Sequence, residues 1–234
     1  FQMPCSDERA LSGEESALRV DVAYDRRVNY AMQQNAVPII KQIKLENLSD
    51  EPRCTLCVSI STDPGFGEKW SGRIEAIPPK STYRLSEIDL QLSPAYLRQL
   101  DEREAGALWV EVSSEEHILH RQRMPIELLS IREWGGLQSL PEILAAFVQP
   151  NHPKLAPLIT QASRNLEHLA GTSAFSGYQA HDRGLVQAQA AAIFEALRSY
   201  EVVYVNPPAS FEDAGQKIRM PDEVLVQRQG TCLD

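Results

Sequence analysis

The residue of this chain best placed for chemistry is Cys232, within the segment Gly-Thr-Cys-Leu-Asp at 230–234. The segment follows a short helix predicted at 221–228, and its last two residues are expected to begin another helix. A cysteine at a helix N-terminus gains thiolate stability from unpaired N–H groups and from the helix dipole. This placement is typical of a nucleophile whose histidine partner arrives later in the chain. A structural cysteine buried on a core helix is the alternative that stays open.

Cys54 and Cys57 form a second candidate, a C-x-x-C pair that is half a zinc site or a redox pair in other settings. Tetrahedral zinc needs four ligands, and the remaining cysteines, Cys5 and Cys232, lie far away in sequence. The pair falls in a predicted strand, where residues three apart point to opposite faces. We therefore expect one cysteine in the core and one at the surface.

The composition is that of an ordinary globular domain, since 43% of the residues are hydrophobic and 24% are charged. A formal net charge of −9 over 234 residues repels phosphate backbones at long range, so we expect no direct nucleic-acid binding. Four cysteines are too few for a disulfide scaffold, and every apolar run is too short to cross a membrane. No metal-ligand or phosphate-binding motif is present, so no metal and no cofactor are expected. These features predict a cytoplasmic protein with reduced thiols.

The first half of the chain alternates apolar and polar residues with a period of two, which is typical of half-buried strands. Predicted strands cover 19–24, 28–32, 39–45, 55–60, 72–77, 83–85, 88–90, 108–112 and 117–120, with one brief helix around 94–104. Turn residues separate these runs. We expect an antiparallel β-sandwich of immunoglobulin-like type over residues 1–133.

The period changes to 3.6 after Trp134, so a linker at 134–138 is followed by a mainly helical segment at 139–234. A capping box at 139–142 is expected to begin the first helix. A second helix should place an apolar stripe over 155–169 and close at Gly171. A third helix at 182–200 and a strand at 202–205 follow. The fold class is therefore α+β.

Several uncommon strings in the second half resemble one protein family. They are Phe-Ser-Gly-Tyr-Gln at 175–179, Gln-Ala-Gln-Ala-Ala-Ala-Ile at 187–193, Tyr-Val-Asn-Pro-Pro-Ala-Ser-Phe-Glu at 204–212, Gly-Gln-Lys-Ile-Arg-Met-Pro at 215–221 and Gly-Thr-Cys-Leu-Asp at 230–234. Together they resemble the N-terminal part of very large bacterial helicase-like proteins. In that family a β-sandwich precedes a transglutaminase-like cysteine-protease fold, and a superfamily 1 helicase ATPase and a nuclease-like region follow. Some members are associated with anti-phage defence.

The resemblance implies that the helical segment leads into a transglutaminase-like fold cut short at Asp234, with Cys232 as nucleophile and Gly230 and Thr231 shaping the turn before it. The family's histidine and acidic partners would lie beyond Asp234, so this chain by itself is expected to be inactive. The other motif residues that the resemblance marks are Asn206, Pro207, Pro208, Ser210, Phe211, Gln216, Lys217 and Arg219.

Three hypotheses about function follow. In the first, the chain is the N-terminal recognition or regulatory module of a large bacterial helicase-like protein, and its partners are that protein's downstream domains or another protein. In the second, the parent is a cysteine hydrolase of transglutaminase-like type that cleaves a protein or a phage component with Cys232. In the third, the chain is a stand-alone protein-interaction β-sandwich module in which Cys232 is incidental.

Overall fold

The computed structural model describes residues 17–115 and 117–234, so Cys5 lies outside the described residues. It is a mixed α+β structure with mainly antiparallel sheets. The chain divides into two compact units. Of the described residues, the first unit holds 17–28, Gln33–Arg98 and Glu104–Leu128, and the second holds Asn29–Met32, Gln99–Arg103 and Leu129–Asp234.

The first unit is built mainly from strands. Its described elements are β1 (Leu18–Tyr24), β2 (Arg27–Val28), β3 (Ile40–Asn47), β4 (Arg53–Asp63), β5 (Trp70–Ile77), β6 (Thr82–Leu85), helix α2 (Pro94–Arg98), β7 (Glu104–Ser114) and β8 (His117–Leu128). The residues of helix α1 (Tyr30–Gln34) are divided between the two units. One sheet has the order β1-β3-β6 and is antiparallel. The other has the order β2-β8-β7-β4-β5, in which β2 pairs with β8 in parallel and the other neighbours are antiparallel.

The alternation seen in the sequence is the physical reason that these strands form. In β4, Leu56, Val58 and Ile60 are buried, while Cys57 and Ser59 between them are not. Successive side chains of a strand point to opposite faces, so one face of the sheet is apolar and buried.

Two predicted strands of the first half are wrong. The segment predicted as a strand at 28–32 turns into helix α1, because the side chain of Asn29 accepts the N–H of Met32 at 2.9 Å and caps the helix. The segment at 88–90 buries Ile88 and Leu90 without forming a strand. Alternating apolar residues are compatible with a strand and also with the non-strand conformations seen here, and local hydrogen bonds decide which one forms.

The second unit combines helices with very short strands. Its described elements are β9 (Glu133–Trp134), a 3₁₀ helix (Pro141–Phe147), α3 (Leu155–Ala170), α4 (Arg183–Arg198), β10 (Val203–Tyr204), α5 (Phe211–Ala214), β11 (Gln216–Lys217), α6 (Pro221–Gln227) and β12 (Gln229–Gly230). Strand β9 pairs with β11 in antiparallel fashion, and β10 pairs with β12 in parallel. These two pairings bring distant parts of the second half together.

Helices α3 and α4 pack through small residues. Ala162 and Ala196 are fully buried and form a core cluster with Leu158. Helix α3 ends at Gly171 in the left-handed conformation, with φ 68°, which confirms the predicted closure. Helix α4 begins after Asp182, whose side chain accepts the N–H of Leu185 at 3.0 Å.

Two details of the predicted helices are wrong. The capping box at 139–142 does not form, because a 3₁₀ helix begins at Pro141 and no side chain caps it. The predicted apolar stripe of α3 is only half buried, since Ile159 is 41% exposed and Leu169 is 57% exposed. Within 17–115 and 117–234, no helix is long and apolar enough to cross a membrane.

Candidate functional site

The second unit contains an open cleft of about 930 Å³. Its walls come from 101–102, 130–133, 205–206, 208 and 215–219, together with side chains of α6 and the residue after β12. The cleft therefore lies where the β9–β11 pair meets the loop that follows β10.

Six residues that the sequence singles out line this one cleft. They are Asn206, Pro208, Gln216, Lys217, Arg219 and Thr231. The other marked residues do not line the cleft but lie within three residues of them in sequence; they are Pro207, Ser210, Phe211, Gly230 and Cys232. The motif residues thus converge, and Cys232 lies one residue away from the cleft wall.

The glycine before β11 is required for the shape of this wall. Gly215 has φ 81°, a conformation that favours glycine. A Cβ at Gly215 would lie 2.0 Å from the carbonyl oxygen of Trp134, the residue that Gln216 faces across the β9–β11 pair. Close approach of the two backbones therefore depends on the missing side chain.

Gln216 is a buried polar residue of the cleft and is only 4% exposed. Its Nε2 donates a hydrogen bond to Thr231 Oγ1 at 2.9 Å. Within the described residues its Oε1 receives no hydrogen bond. An unpaired buried acceptor costs about 1–3 kcal/mol, so a ligand that donates a hydrogen bond here would be favoured.

Cys232 and Leu233 form a turn that follows β12. Thr231 Oγ1 accepts the N–H of Leu233 at 3.3 Å, and the Asp234 carboxylate accepts the N–H of Thr231 at 2.7 Å. The bond from the Thr231 N–H to Asp234 is that of a capping box, while the Thr231 hydroxyl accepts from the second residue after it rather than from the third; both bonds are typical of a helix N-terminus. Cys232 itself is exposed.

The Asp234 carboxylate is held from a second direction by Arg219. Its Oδ1 accepts the main-chain N–H of Arg219 at 2.8 Å, and its Oδ2 accepts the guanidinium at 2.9 Å. The side chain of Asp234 is 1% exposed. Burial acts to raise the pKa of Asp234, but the hydrogen bonds from Arg219 and Thr231 outweigh it and hold the pKa below its usual value. The carboxylate is therefore ionised at neutral pH.

Each basic side chain that lines the cleft is paired with a carboxylate. Arg132 lies 2.6 Å from Glu223, Lys217 lies 2.5 Å from Glu102, and Arg219 lies 2.9 Å from Asp234. A phosphate or nucleic-acid strand binds best to cations that are not already neutralised. The charges of the described cleft therefore favour a neutral, polar ligand over an anionic one.

One ion pair of the cleft was not anticipated from the sequence. Glu133 lines the cleft with its side chain only 8% exposed, and it pairs with Arg103 and accepts the N–H of Ser130 at 3.2 Å. Arg103 also donates to the carbonyl oxygen of Ala214 at 2.9 Å. Nothing in the sequence distinguishes Glu133 from a surface glutamate. By contrast, the Thr-x-x-Asp spacing of Thr231 and Asp234 is typical of a helix N-terminus, so the sequence could have indicated the role of Asp234.

Among the described residues, no histidine lines the cleft. His152 lies in the same unit with its Nε2 3.7 Å from Asp222, and neither residue contributes to the cleft wall. A thiol without a base lacks most of the machinery for nucleophilic catalysis.

The C-x-x-C pair does not match its expectation, because neither cysteine is buried. Cys54 is exposed and Cys57 is half-buried. Thr55 has φ 53°, so the strand leaves its extended conformation at this residue, which explains the departure from simple alternation. Within 17–115 and 117–234, no group of three or more His, Cys, Asp or Glu residues is arranged to hold a metal ion.

No protein-family model matches this sequence, and no curated protein matches it. Two solved structures show a weak likeness. The YadV chaperone is 18% identical over 61% of this chain and 58% of its own, with a TM-score of 0.28. The Northeast Structural Genomics Consortium target SoR45 is 15% identical over 50% of this chain and 89% of its own, with a TM-score of 0.26. The match thus spans little more than half of the chaperone, and neither score indicates a shared fold.

Proposed function

We propose that this chain is the N-terminal region of a large bacterial helicase-like protein and acts there as a recognition or regulatory module. Its first unit is an immunoglobulin-like sandwich, and its second unit leads into a transglutaminase-like domain that has Cys232 as its cysteine. The module works in the cytoplasm, binds the downstream domains of the same protein and makes no direct contact with nucleic acid.

The observation that carries this proposal is the meeting of six motif residues at one cleft. The strings that resemble the helicase-like family are separate in sequence, from Asn206 to Thr231. A site shared by a family requires such residues to come together, whereas unrelated strings have no reason to do so. The pairing of the cleft's cations with carboxylates supports a protein partner over a nucleic acid.

The ATPase rate of the full-length protein tests this proposal. Lys217→Glu reverses a charge at the rim of the cleft, where the lysine side chain is 46% exposed and its partner Glu102 is 81% exposed. A regulatory cleft predicts a change of about fivefold or more in the ATPase rate. Lys154→Glu, an exposed lysine of the same unit outside the cleft, is the matched control and should leave the rate unchanged. Equal rates for Lys217→Glu and the wild type would contradict the proposal.

A second candidate function is hydrolysis by Cys232. It is favoured by the exposure of this thiol and by its position next to Thr231, which lines the cleft and bonds to the buried Gln216 amide. In this candidate the base comes from a part of the protein outside this chain.

Labelling with a thiol-reactive probe tests the second candidate in the full-length protein. A nucleophilic cysteine reacts about tenfold faster or more than an ordinary exposed thiol at neutral pH, because more of it is thiolate. Cys54 is the internal reference, since it is also exposed. Cys232→Ser should abolish the fast labelling and leave that of Cys54. Labelling of Cys232 no faster than that of Cys54 would rule out the hydrolase.

A further inference from the structure

Strand β5 is an edge of the five-stranded sheet in the first unit. It pairs with β4 on one side, and no described strand pairs with it on the other. The main-chain groups of an antiparallel strand point alternately to its two sides, so about half of those of β5 point away from β4. Outside the pairing with β4, no main-chain group of residues 70–76 has a hydrogen-bond partner among the described residues. The strand therefore presents an open row of donors and acceptors.

The other edge strands of the first unit are short or irregular. Strand β2 has two residues, β6 has four, and the register of β1 shifts between Ala23 and Tyr24. Strand β5 has eight residues, and its register against β4 does not shift. Short length, irregular register, lysine and proline are the features that keep an edge from pairing with another chain. Strand β5 has none of these features, since it contains neither lysine nor proline.

Two opposite charges stand next to each other on the solvent face of this edge. Arg73 and Glu75 are exposed, and Ile74 between them is 3% exposed. Alternate residues of a strand share a face, so the two charged side chains lie on the same side of the sheet. Among the described residues, neither side chain has an ion-pair partner. The edge thus carries one cation and one anion that are both available to another strand.

We propose that β5 is a homodimer contact, at which it pairs in antiparallel fashion with β5 of a second copy about a two-fold axis at Ile74. In this register each Arg73 lies directly opposite the second copy's Glu75, so the contact gains two ion pairs on one face. On the other face Ile74 lies opposite Ile74 of the second copy. The apolar side of the sheet then continues from one copy into the other, as in an isologous contact.

The charges select both the register and the partner. A two-fold axis at Arg73 or at Glu75 would place each of these side chains directly opposite the same residue of the second copy, and like charges directly opposite are destabilising. A strand that carries only acidic or only basic residues would attract one of the two charges and repel the other. A second copy of this chain satisfies both charges at once, and it therefore fits this edge best.

Sedimentation velocity of the 234-residue chain between about 1 and 500 μM tests the proposal. A single pair of strands is smaller than a standard protein–protein interface, so we expect a dissociation constant of about 10–100 μM and a mass twice the monomer's 26.2 kDa at the highest concentration. Arg73→Glu and Glu75→Arg each place like charges opposite one another in both pairs, and each should raise the dissociation constant about tenfold or more. Arg84→Glu is the matched control, because it changes an exposed arginine on β6, an edge of the other sheet, and it should leave the dissociation constant unchanged.

An equimolar mixture of Arg73→Glu and Glu75→Arg separates pairing from misfolding. In a mixed dimer every introduced charge faces an opposite charge, so the mixture should dimerise although neither variant does so alone. A merely structural role of these residues predicts no recovery on mixing. Hydrogen exchange gives a second measurement: the outward amides of 70–77 should be protected at about 500 μM and exposed at about 1 μM.

Three results would overturn the proposal. They are a wild-type chain that remains monomeric at about 500 μM, dimers that both single variants form as well as the wild type, and a mixture that stays monomeric. Concentration-dependent protection confined to other residues would place the contact elsewhere and would also reject β5. The outcome is independent of the proposed cleft function, because β5 belongs to the first unit and the cleft residues belong to the second.

Discussion

Gln216 Nε2 donates a hydrogen bond to Thr231 Oγ1 across 2.9 Å, and this bond joins the two small sheets of the second unit. Gln216 belongs to β11, which pairs with β9, and Thr231 follows β12, which pairs with β10. The bond therefore connects the cleft wall to the turn that carries Cys232.

Thr231→Val should destabilise the second unit. The substitution keeps the shape of the side chain but removes the hydroxyl that accepts the hydrogen bond from Gln216 Nε2. Gln216 is only 4% exposed, and neither its Nε2 nor its Oε1 would then have a hydrogen-bond partner among the described residues. We expect a loss of about 1–3 kcal/mol in the free energy of unfolding, measured by urea denaturation. Thr160→Val is the matched control, since that exposed hydroxyl bonds only to its own helix, and it should cost about 0.5 kcal/mol or less.

The double variant Thr231→Val with Gln216→Leu separates the bond from the shape of the site. It removes both polar partners, and such a replacement is close to neutral when the shapes are kept. A double variant that is less stable than Thr231→Val alone would contradict the hydrogen-bond explanation.

Gly215→Ala should be among the most damaging single changes in the second unit. The new Cβ would lie 2.0 Å from the Trp134 carbonyl oxygen, so β11 and β9 could not pair as they do. We expect a loss of about 3–5 kcal/mol in thermal or urea unfolding. Gly171→Ala is the comparison, because Gly171 has a similar positive φ of 68° but no atom within 4 Å, and it should cost only about 1–2 kcal/mol. Similar losses in the two variants would show that backbone strain, not the close approach, sets the cost.

Glu133→Gln and Glu102→Gln should differ strongly although both carboxylates line the same cleft. The Glu133 side chain is 8% exposed, but its partner Arg103 is 33% exposed, so loss of this partly buried ion pair should cost about 1.5–3 kcal/mol. The Glu102 side chain is 81% exposed and paired with Lys217, and such a surface pair contributes about 1 kcal/mol or less. Urea denaturation of the two variants measures the difference, and equal losses would contradict the burial argument.

The stabilisation by Asp234 should depend on pH in the acid range. Its folded-state pKa is depressed, so its contribution is complete above the ordinary carboxyl value of about 4 and is lost as the pH falls through the lower folded value. Wild type should be more stable than Asp234→Asn at pH 7, and the difference between their urea midpoints should shrink below pH 4. A difference that stays constant down to pH 2.5 would mean that the carboxylate charge does not hold the turn.

Much of the first unit was predictable from the sequence because its strands bury alternate residues. The predicted strands at 55–60 and 108–112 lie within β4 and β7, and all of the predicted strand at 39–45 except its first residue lies within β3. The segment at 28–32 was not predictable from alternation, because its helix depends on one hydrogen bond from Asn29. Cys54 likewise departs from the pattern where Thr55 takes a positive φ. Periodicity describes which faces are apolar, and it cannot describe single helix caps or single residues with a positive φ.

The sequence by itself determined the α+β class, the closure of α3 at Gly171 and the set of motif residues, since these depend on local patterns along the chain. Only the tertiary structure decided that Asn206, Gln216 and Thr231 line one cleft, that Cys232 is exposed, and that the little-exposed carboxylates of Asp234 and Glu133 hold ion pairs. The physical reason is that these outcomes depend on which distant segments meet. Those distant segments meet through the pairing of two-residue strands, and a strand of two residues is too short to show a periodic pattern in the sequence.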